Sequence, residues 1–95
     1  MTAEGELYKM NISKQEILEK ICYTELVYER INKKLNIRYS KKQIEEFIFK
    51  TLNETDEIFF LKIGKNFYIT SVENNIRITI NSNSFRIITV DKIEQ

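Results

Sequence analysis

Four side chains in the C-terminal half of the chain could bind an anionic group or transfer a proton. They are two arginines, a lysine and a tyrosine: Lys62, Tyr68, Arg77 and Arg86. Guanidinium groups bind phosphate oxygens through paired hydrogen bonds, and a tyrosine ring can stack on a base. These residue types therefore favour a phosphate as the bound group.

Other common sites are excluded by residue types that the chain lacks. It has no histidine and a single cysteine, Cys22, so zinc and haem sites have no ligands, and Ser-His-Asp or Cys-His catalysis has no base. Its two glycines, Gly5 and Gly64, cannot form a glycine-rich phosphate loop. We therefore expect no cofactor and no metal, and the unpaired cysteine favours a reducing cytoplasm.

The length and composition predict one domain. The chain has 95 residues, of which 42% are hydrophobic and 31% charged, with a net charge of +1, values typical of a folded globular protein. No apolar stretch approaches about 18 residues, so we expect no membrane-spanning segment. Residues 1–11 show no helical or strand period and predict a flexible lead, with Met1 or Met10 as the native start. Residues 12–93 are predicted to form the domain.

Two helix-start signals precede two amphipathic stretches. Ser13 is followed three residues later by Glu16, and Ser40 by Gln43, which is the spacing of a capping box. Apolar residues then recur at helical spacing, which predicts one helix over about residues 14–35 and a second over about residues 41–52. The short connection between them favours an antiparallel helical pair.

After Thr55 the apolar period changes from that of a helix to that of a strand, and β-branched and aromatic residues dominate. Four strands are predicted, over residues 58–63, 67–72, 76–81 and 84–90, joined by turns at Gly64-Lys65-Asn66, Asn74-Asn75 and Ser82-Asn83. This order predicts the α+β class. Two N-terminal helices would pack on one face of a four-stranded antiparallel meander sheet, as a two-layer sandwich.

The register of the hairpins decides which side chains face the helices. If Ile63 pairs with Phe67 and Asn81 with Ser84, ten apolar residues share the core side. These are Phe59, Leu61, Ile63, Phe67, Ile69, Ile76, Ile78, Ile80, Phe85 and Ile87. The opposite face then carries Lys62, Tyr68, Thr70, Arg77, Thr79, Asn81, Ser84 and Arg86, with Phe60, Ile88 and Val90. This register predicts a face without acids on which the three cations lie together.

A second basic segment follows the first predicted helix. Six cations occur there without an intervening acid: Arg30, Lys33, Lys34, Arg38, Lys41 and Lys42. Together with the sheet face they predict a surface for nucleic acid or a protein partner. Its residues would be Lys62, Tyr68, Thr70, Arg77, Thr79 and Arg86, with Lys33, Lys34 and Arg38. The alternative is that the helix-end cations only complement the helix dipole and that the polar sheet face is simply solvated.

Short motifs occur in a fixed order along residues 20–92. They are Thr24-Glu25-Leu26 with Arg30-Ile31, then Gly64-Lys65-Asn66-Phe67-Tyr68, then Ile78-Thr79-Ile80-Asn81, then Ser84-Phe85-Arg86-Ile87-Ile88-Thr89. In these motifs the chain resembles the bacterial domain-of-unknown-function 3781 family (DUF3781). Many members of that family carry a histidine where this chain has Cys22. The resemblance implies a shared fold and no assigned activity.

The functional expectation is a binding protein. Two helices followed by a four-stranded sheet also resemble small metal-independent ribonuclease toxins, an analogy of fold alone. We expect a bacterial or phage protein that acts in the cytoplasm on RNA, or on a nucleic-acid-handling complex, through its basic sheet face. One alternative, which this likeness implies, is a metal-independent ribonuclease with Lys62, Tyr68, Arg77 and Arg86 as catalytic candidates. Arg77 and Arg86 would hold the scissile phosphate, and Lys62 or Tyr68 would move the proton of the 2′-hydroxyl. Thr70 and Thr79 would orient the phosphate. Another is an inhibitor of a host defence complex, of the anti-CRISPR kind. Enzyme activity stays open, as does the choice between monomer and homodimer.

Overall fold

The computed structural model describes residues 12–93. Within them lie three helices, α1 (Lys14–Lys20), α2 (Glu25–Leu35) and α3 (Lys41–Glu54), a 3₁₀ turn (Glu57–Phe59) and four strands, β1 (Phe60–Ile63), β2 (Asn66–Ser71), β3 (Ile76–Asn81) and β4 (Ile87–Lys92). The strands form one antiparallel sheet in the order β1-β2-β3-β4. The predicted α+β class and the four-stranded antiparallel meander are confirmed. The predicted lead, residues 1–11, lies outside the described residues.

The single helix predicted over residues 14–35 is wrong, because a four-residue link separates α1 from α2. In this link the Cys22 N–H donates to the Phe85 carbonyl oxygen, and the Cys22 carbonyl oxygen accepts from the Ile87 N–H, each at 2.9 Å. Sheet-like hydrogen bonds thus replace helical ones, and the β-branched and aromatic residues of the link are weak helix formers. The break lets α1 contact α3 while α2 contacts β4.

Both predicted helix starts form, but only one as a complete capping box. The Ser40 Oγ accepts from the Gln43 N–H at 3.1 Å, and the Gln43 Oε1 accepts from the Ser40 N–H at 2.8 Å. The Ser13 Oγ accepts from the Glu16 N–H at 3.1 Å, whereas the Glu16 carboxylate pairs with the lysine one turn further on. α3 ends at Glu54, two residues beyond its predicted end.

The first hairpin closes through a two-residue turn, Gly64-Lys65, rather than the predicted three-residue loop. Ile63 pairs with Asn66, so the predicted pairing of Ile63 with Phe67 is wrong by one position. Gly64 has a φ of +59°, a backbone conformation that glycine adopts without steric cost and that two-residue hairpin turns use. Because side chains alternate along a strand, this shift exchanges the two sides of β1.

The last hairpin has a longer loop than predicted, and β4 begins at Ile87, three residues later than expected. The Asn81 Oδ1 accepts from two backbone N–H groups of the loop at 2.9 and 2.8 Å. Phe85 adopts a left-handed φ of +61° just before the strand. A bulge leaves Ile88 without a partner in β3, and the shifted register turns Val90 to the buried side.

The helices and one side of the sheet enclose a single hydrophobic core. Its fully buried side chains come from all three helices and from β2, β3 and β4: Ile17, Ile31, Ile44, Ile48, Leu52, Ile69, Ile78, Ile80, Ile87 and Val90. Burial of an aliphatic side chain of this size stabilises the fold by about 1.5–3 kcal/mol. The core therefore holds the observed register, because a slip would expose these residues.

Candidate functional site

We call the side of the sheet that faces away from this core the outer face. Residues directly opposite each other on neighbouring strands share a side. The ladder therefore places ten residues on the outer face: Leu61, Ile63, Asn66, Tyr68, Thr70, Arg77, Thr79, Asn81, Thr89 and Asp91. Four predicted site residues meet there, with Tyr68 opposite Thr79 and Thr70 opposite Arg77. Thr79 is buried by its neighbours, whereas Arg77 is exposed.

Lys62 does not lie on the outer face, which corrects the predicted cluster of three cations. It pairs with Phe67, which in turn pairs with Ile80, and both of these residues are buried in the core. Lys62 is exposed because β1 is an edge strand. Its amine therefore stands on the opposite side of the sheet from a phosphate held by Arg77.

The one-residue shift also makes the outer face more apolar than predicted. Leu61 and Ile63, expected in the core, are 56% and 57% exposed. Phe59, also expected in the core, is 40% exposed. Phe60 and Val90, expected outside, are 6% and 0% exposed. Aliphatic side chains along β1 thus adjoin polar and cationic side chains along β2 and β3.

A hollow of about 480 Å³ opens on the outer face beside β1. It is lined by Ile58, Phe59, Leu61, Ile63, Tyr68, Thr70 and Arg77. Tyr68 is half-buried, and its hydroxyl oxygen accepts from the Asn66 Nδ2 at 3.4 Å. Arg77 forms no ion pair with any residue between positions 12 and 93. An apolar hollow with a free guanidinium at its margin suits a ligand that carries both apolar and anionic groups.

Arg77 and Arg86 stand apart along the sheet. The Arg86 carbonyl oxygen accepts from the Asn81 N–H at 2.9 Å, and Arg77 precedes Asn81 by four residues in β3. Four residues of strand span about 13 Å. This separation suits two phosphates of an extended strand better than one scissile phosphodiester. The geometry thus does not bring Arg77, Arg86 and Lys62 to a single reacting group.

A larger hollow, about 910 Å³, follows the exposed side of α2 and the turn after it. We call it the basic groove; it is lined by Leu26, Glu29, Arg30, Asn32, Lys33, Lys34, Asn36 and Ile37. Arg30 and Lys33 are exposed, and neither forms an ion pair with another described residue. Two of the predicted binding residues, Lys33 and Lys34, therefore line one concave surface.

The other helix-end cations lie outside the lining of this groove. Lys41 pairs with the acid at the start of α2, so its charge is locally balanced. Arg38 and Lys42 are exposed and make no ion pair within residues 12–93. Lys33 and Lys34 occupy the last turn of α2, where cations also complement the helix dipole. The helix dipole therefore accounts for Lys33 and Lys34, but it does not account for Arg30, which lies before the last turn.

An ion pair brings the basic groove next to the outer face. The Lys34 Nζ lies 2.6 Å from the Asp91 Oδ1, and Asp91 is the direct partner of Arg77 in the ladder. Arg30 precedes Lys34 by four residues, so both side chains lie on the same side of α2. Arg30, Lys34 and Arg77 therefore mark a path from α2 across the β4 edge, on which Asp91 balances the charge of Lys34.

A polar cluster that was not predicted from the sequence joins the start of α2 to α3. The Tyr28 hydroxyl donates to the Glu45 Oε2 at 2.6 Å, and the Tyr23 and Tyr28 rings stack with their centroids 5.4 Å apart. Burial and this hydrogen bond raise the pKa of Tyr28 to about 12. Burial and the Glu45 carboxylate also raise the pKa of Tyr23. Both phenols keep their protons at neutral pH, and no sequence motif marks them.

Neither a metal centre nor a membrane-spanning helix occurs in the part of the chain that the structure describes. No three histidine, cysteine, aspartate or glutamate side chains of residues 12–93 come together in a way that could hold a metal ion. None of the described helices is long and apolar enough to cross a membrane.

The fold and its surfaces define a small α+β protein with an open, partly apolar sheet face and a basic groove. Residues 15–91 match the sequence model of a family that is described as a protein of unknown function (DUF3781). The chain belongs to this family, which confirms the resemblance carried by the short motifs. No curated protein and no solved structure matches the chain.

Proposed function

We propose that this protein binds single-stranded RNA without cutting it, through the basic groove and the adjoining part of the outer face. The observation that carries the proposal is the groove, where Arg30 and Lys33 are exposed cations without an ion pair among the described residues. The net charge is only +1. Attraction of a polyanion would therefore come from cations gathered on one surface rather than from the overall charge.

The outer face extends the groove with groups that suit an unpaired nucleotide. Arg77 would contact a phosphate beyond Lys34, while the half-buried Tyr68 ring offers an edge or face to a base. The hydroxyl of Thr70, directly opposite Arg77, could bond a ribose 2′-hydroxyl. These contacts support an extended single strand, because a duplex would hide its base edges and faces.

Binding is favoured over cleavage by the placement of the catalytic candidates. Cleavage needs a proton acceptor and a proton donor at one phosphodiester. Lys62 stands on the other side of the sheet, and Arg77 and Arg86 are about 13 Å apart along it. The ribonuclease alternative would therefore have to rely on Tyr68 alone for proton transfer.

In this proposal the protein acts in the cytoplasm of a bacterium or of a phage-infected cell. The single cysteine supports a reducing compartment, and the abundance of isoleucine, lysine and asparagine is typical of AT-rich genomes. Docking on an acidic protein surface, as an inhibitor of a nucleic-acid-handling complex, would use the same cations. That alternative predicts a chain that fails to bind free RNA.

Fluorescence anisotropy with a labelled 16-nucleotide RNA tests the proposal at several salt concentrations. Three or four phosphate contacts give a slope of about −2 to −3 in a plot of log affinity against log salt. The double variant Arg30→Gln and Lys33→Gln should weaken binding by about tenfold or more. Intact RNA should be recovered after incubation.

A charge-matched control separates the groove from overall charge. Lys50→Gln with Lys65→Gln removes the same two charges from α3 and from the first hairpin turn, and both lysines are exposed. This control should change RNA affinity by less than about twofold. Equal losses in the two double variants, or no binding by the unmodified protein at low salt, would contradict the proposal.

A further inference from the structure

We propose that two copies of this chain form a symmetric dimer by pairing their β1 strands antiparallel, which joins the two sheets into one. Such a dimer is independent of RNA binding and uses one of the two sheet edges. The β4 edge is approached by α2 and bridged near its start by Cys22. Among residues 12–93, nothing pairs with the outer edge of β1. An open strand edge is a template for another strand.

The side chains beside this edge are apolar and exposed. Ile58 is 79% exposed, Leu61 56%, Ile63 57% and Phe59 40%. They offer about 400 Å² of apolar surface per copy, as much as the largest patch on a typical monomer. Two copies, with their backbones, would bury about 1,000 Å² in total, the lower limit of a specific interface. We therefore expect a weak dimer with a Kd of about 10 µM.

The backbone of β1 presents alternate residues to the free edge. In an antiparallel ladder, successive residues point their N–H and C=O groups to opposite sides of the strand. The Phe60 N–H donates to the Glu57 carbonyl oxygen of the 3₁₀ turn, so the backbone of Phe60 faces away from β2. Lys62, two residues further on, faces the same way. The Lys62 N–H and the Phe60 carbonyl oxygen are thus directed at an incoming strand.

A twofold axis that passes between the two Leu61 residues brings these donors and acceptors together in pairs. Each Lys62 N–H then donates to the Phe60 carbonyl oxygen of the second copy, and the two Leu61 side chains meet on the outer face. Ile63 then lies beside the 3₁₀ turn of the second copy, which carries Phe59, so apolar groups face apolar groups. An axis at Lys62 would instead set two like charges opposite each other, which is unfavourable. β1 contains no acid, and in this pairing its one lysine lies opposite Phe60 of the second copy.

Sedimentation of the full chain between about 1 and 200 µM tests the dimer. The unmodified protein should pass from monomer to dimer in this range. Leu61→Glu places two carboxylates at the axis and should raise the Kd by about 100-fold or more. Leu26→Glu is the control, because Leu26 is 72% exposed but lies on α2, and it should leave the Kd unchanged. A monomer at all concentrations, or equal effects of the two variants, would overturn the proposal.

Cysteine cross-linking tests the register in a Cys22→Ser background. Leu61 and Ile63 have nearly equal exposure, but only Leu61 lies on the proposed axis. Leu61→Cys should form an intermolecular disulfide about ten times faster than Ile63→Cys, because the disulfide needs close Cα atoms. Equal rates, or faster cross-linking of Ile63→Cys, would overturn this pairing. The double variant Arg30→Gln and Lys33→Gln, whose substitutions lie on α2, should lose RNA affinity and keep the Kd of the dimer, so the two proposals can fail separately.

Discussion

The Lys34 Nζ lies 2.6 Å from the Asp91 Oδ1 and joins α2 to β4 across 57 positions of the chain. The two side chains remain 49% and 31% exposed. An ion pair so open to water contributes only about 0.2–1 kcal/mol to stability. Its larger effect is on the charge of the surface, because Asp91 stands between Lys34 and Arg77 and offsets part of their field.

Replacing Asp91 with Asn should therefore strengthen RNA binding. Removal of the carboxylate frees Lys34 and leaves Arg77 without an acidic neighbour in the ladder, and we expect a gain of about threefold in affinity at low salt. The free energy of unfolding should fall by less than about 1 kcal/mol. Glu73→Gln, at an exposed turn, is the matched control. A loss of RNA affinity in Asp91→Asn would argue against the path across the β4 edge.

The register of the first hairpin predicts opposite outcomes for two apolar residues of β1. Phe60 is 6% exposed and Ile63 is 57% exposed. Phe60→Ala should lower the free energy of unfolding by about 3–5 kcal/mol, whereas Ile63→Ala should change it by less than about 0.5 kcal/mol. Urea denaturation at a protein concentration below the proposed Kd measures both. The reverse ranking would support the pairing of Ile63 with Phe67.

Gly64→Ala tests the cost of the left-handed turn residue. The φ of Gly64 is +59°, and apart from its two chain neighbours no atom of residues 12–93 lies within 4 Å of the position that a Cβ would take, so we expect the loss to come from the backbone. We expect a loss of about 1–2 kcal/mol in the free energy of unfolding. Gly64→Asn should lose less, because asparagine tolerates this conformation better. Equal losses for alanine and asparagine would point to another cause.

The raised pKa of Tyr28 predicts that the free energy of unfolding falls at alkaline pH. The pKa of Tyr28 is raised from 10.0 to about 12 in the fold. Because the unfolded chain releases this proton first, the stabilisation is complete below pH 10 and is lost as the pH rises toward 12. Glu45→Gln removes the charged acceptor and should lower the pKa of Tyr28, observed as earlier tyrosinate absorbance. An unchanged titration in Glu45→Gln would exclude this cause.

Local sequence signals were enough to predict where most elements lie. The capping box of Ser40 and Gln43 depends on residues three positions apart, and the structure contains it complete. The alternation of β-branched residues after Thr55 likewise predicts strands from neighbours two positions apart. Both patterns involve residues two or three positions apart, so they can be identified from the sequence alone.

Two wrong predictions, the register of the first hairpin and the unbroken first helix, have the largest effect on the site. Neither feature is determined by residues that are close together in the sequence. Gly64 and Asn66 can both adopt a left-handed conformation, and the choice between them moves Lys62 from one side of the sheet to the other. The break after α1 depends on hydrogen bonds from Cys22 to Phe85 and Ile87. Residues more than sixty positions away decide it, and in the sequence only Thr24 and Glu25 interrupt the apolar stripe.

The bridge at Cys22 makes the shape of the N-terminal part depend on the end of the chain. Without residues 85–93 the link between α1 and α2 would lose both of its hydrogen-bond partners, while most of its amphipathic period would persist. A fragment that stops before Phe85 should then carry one continuous helix over residues 14–35. The direction of α1 relative to α2 is therefore set by a distant strand segment, and truncation of that segment should straighten the helical half of the molecule.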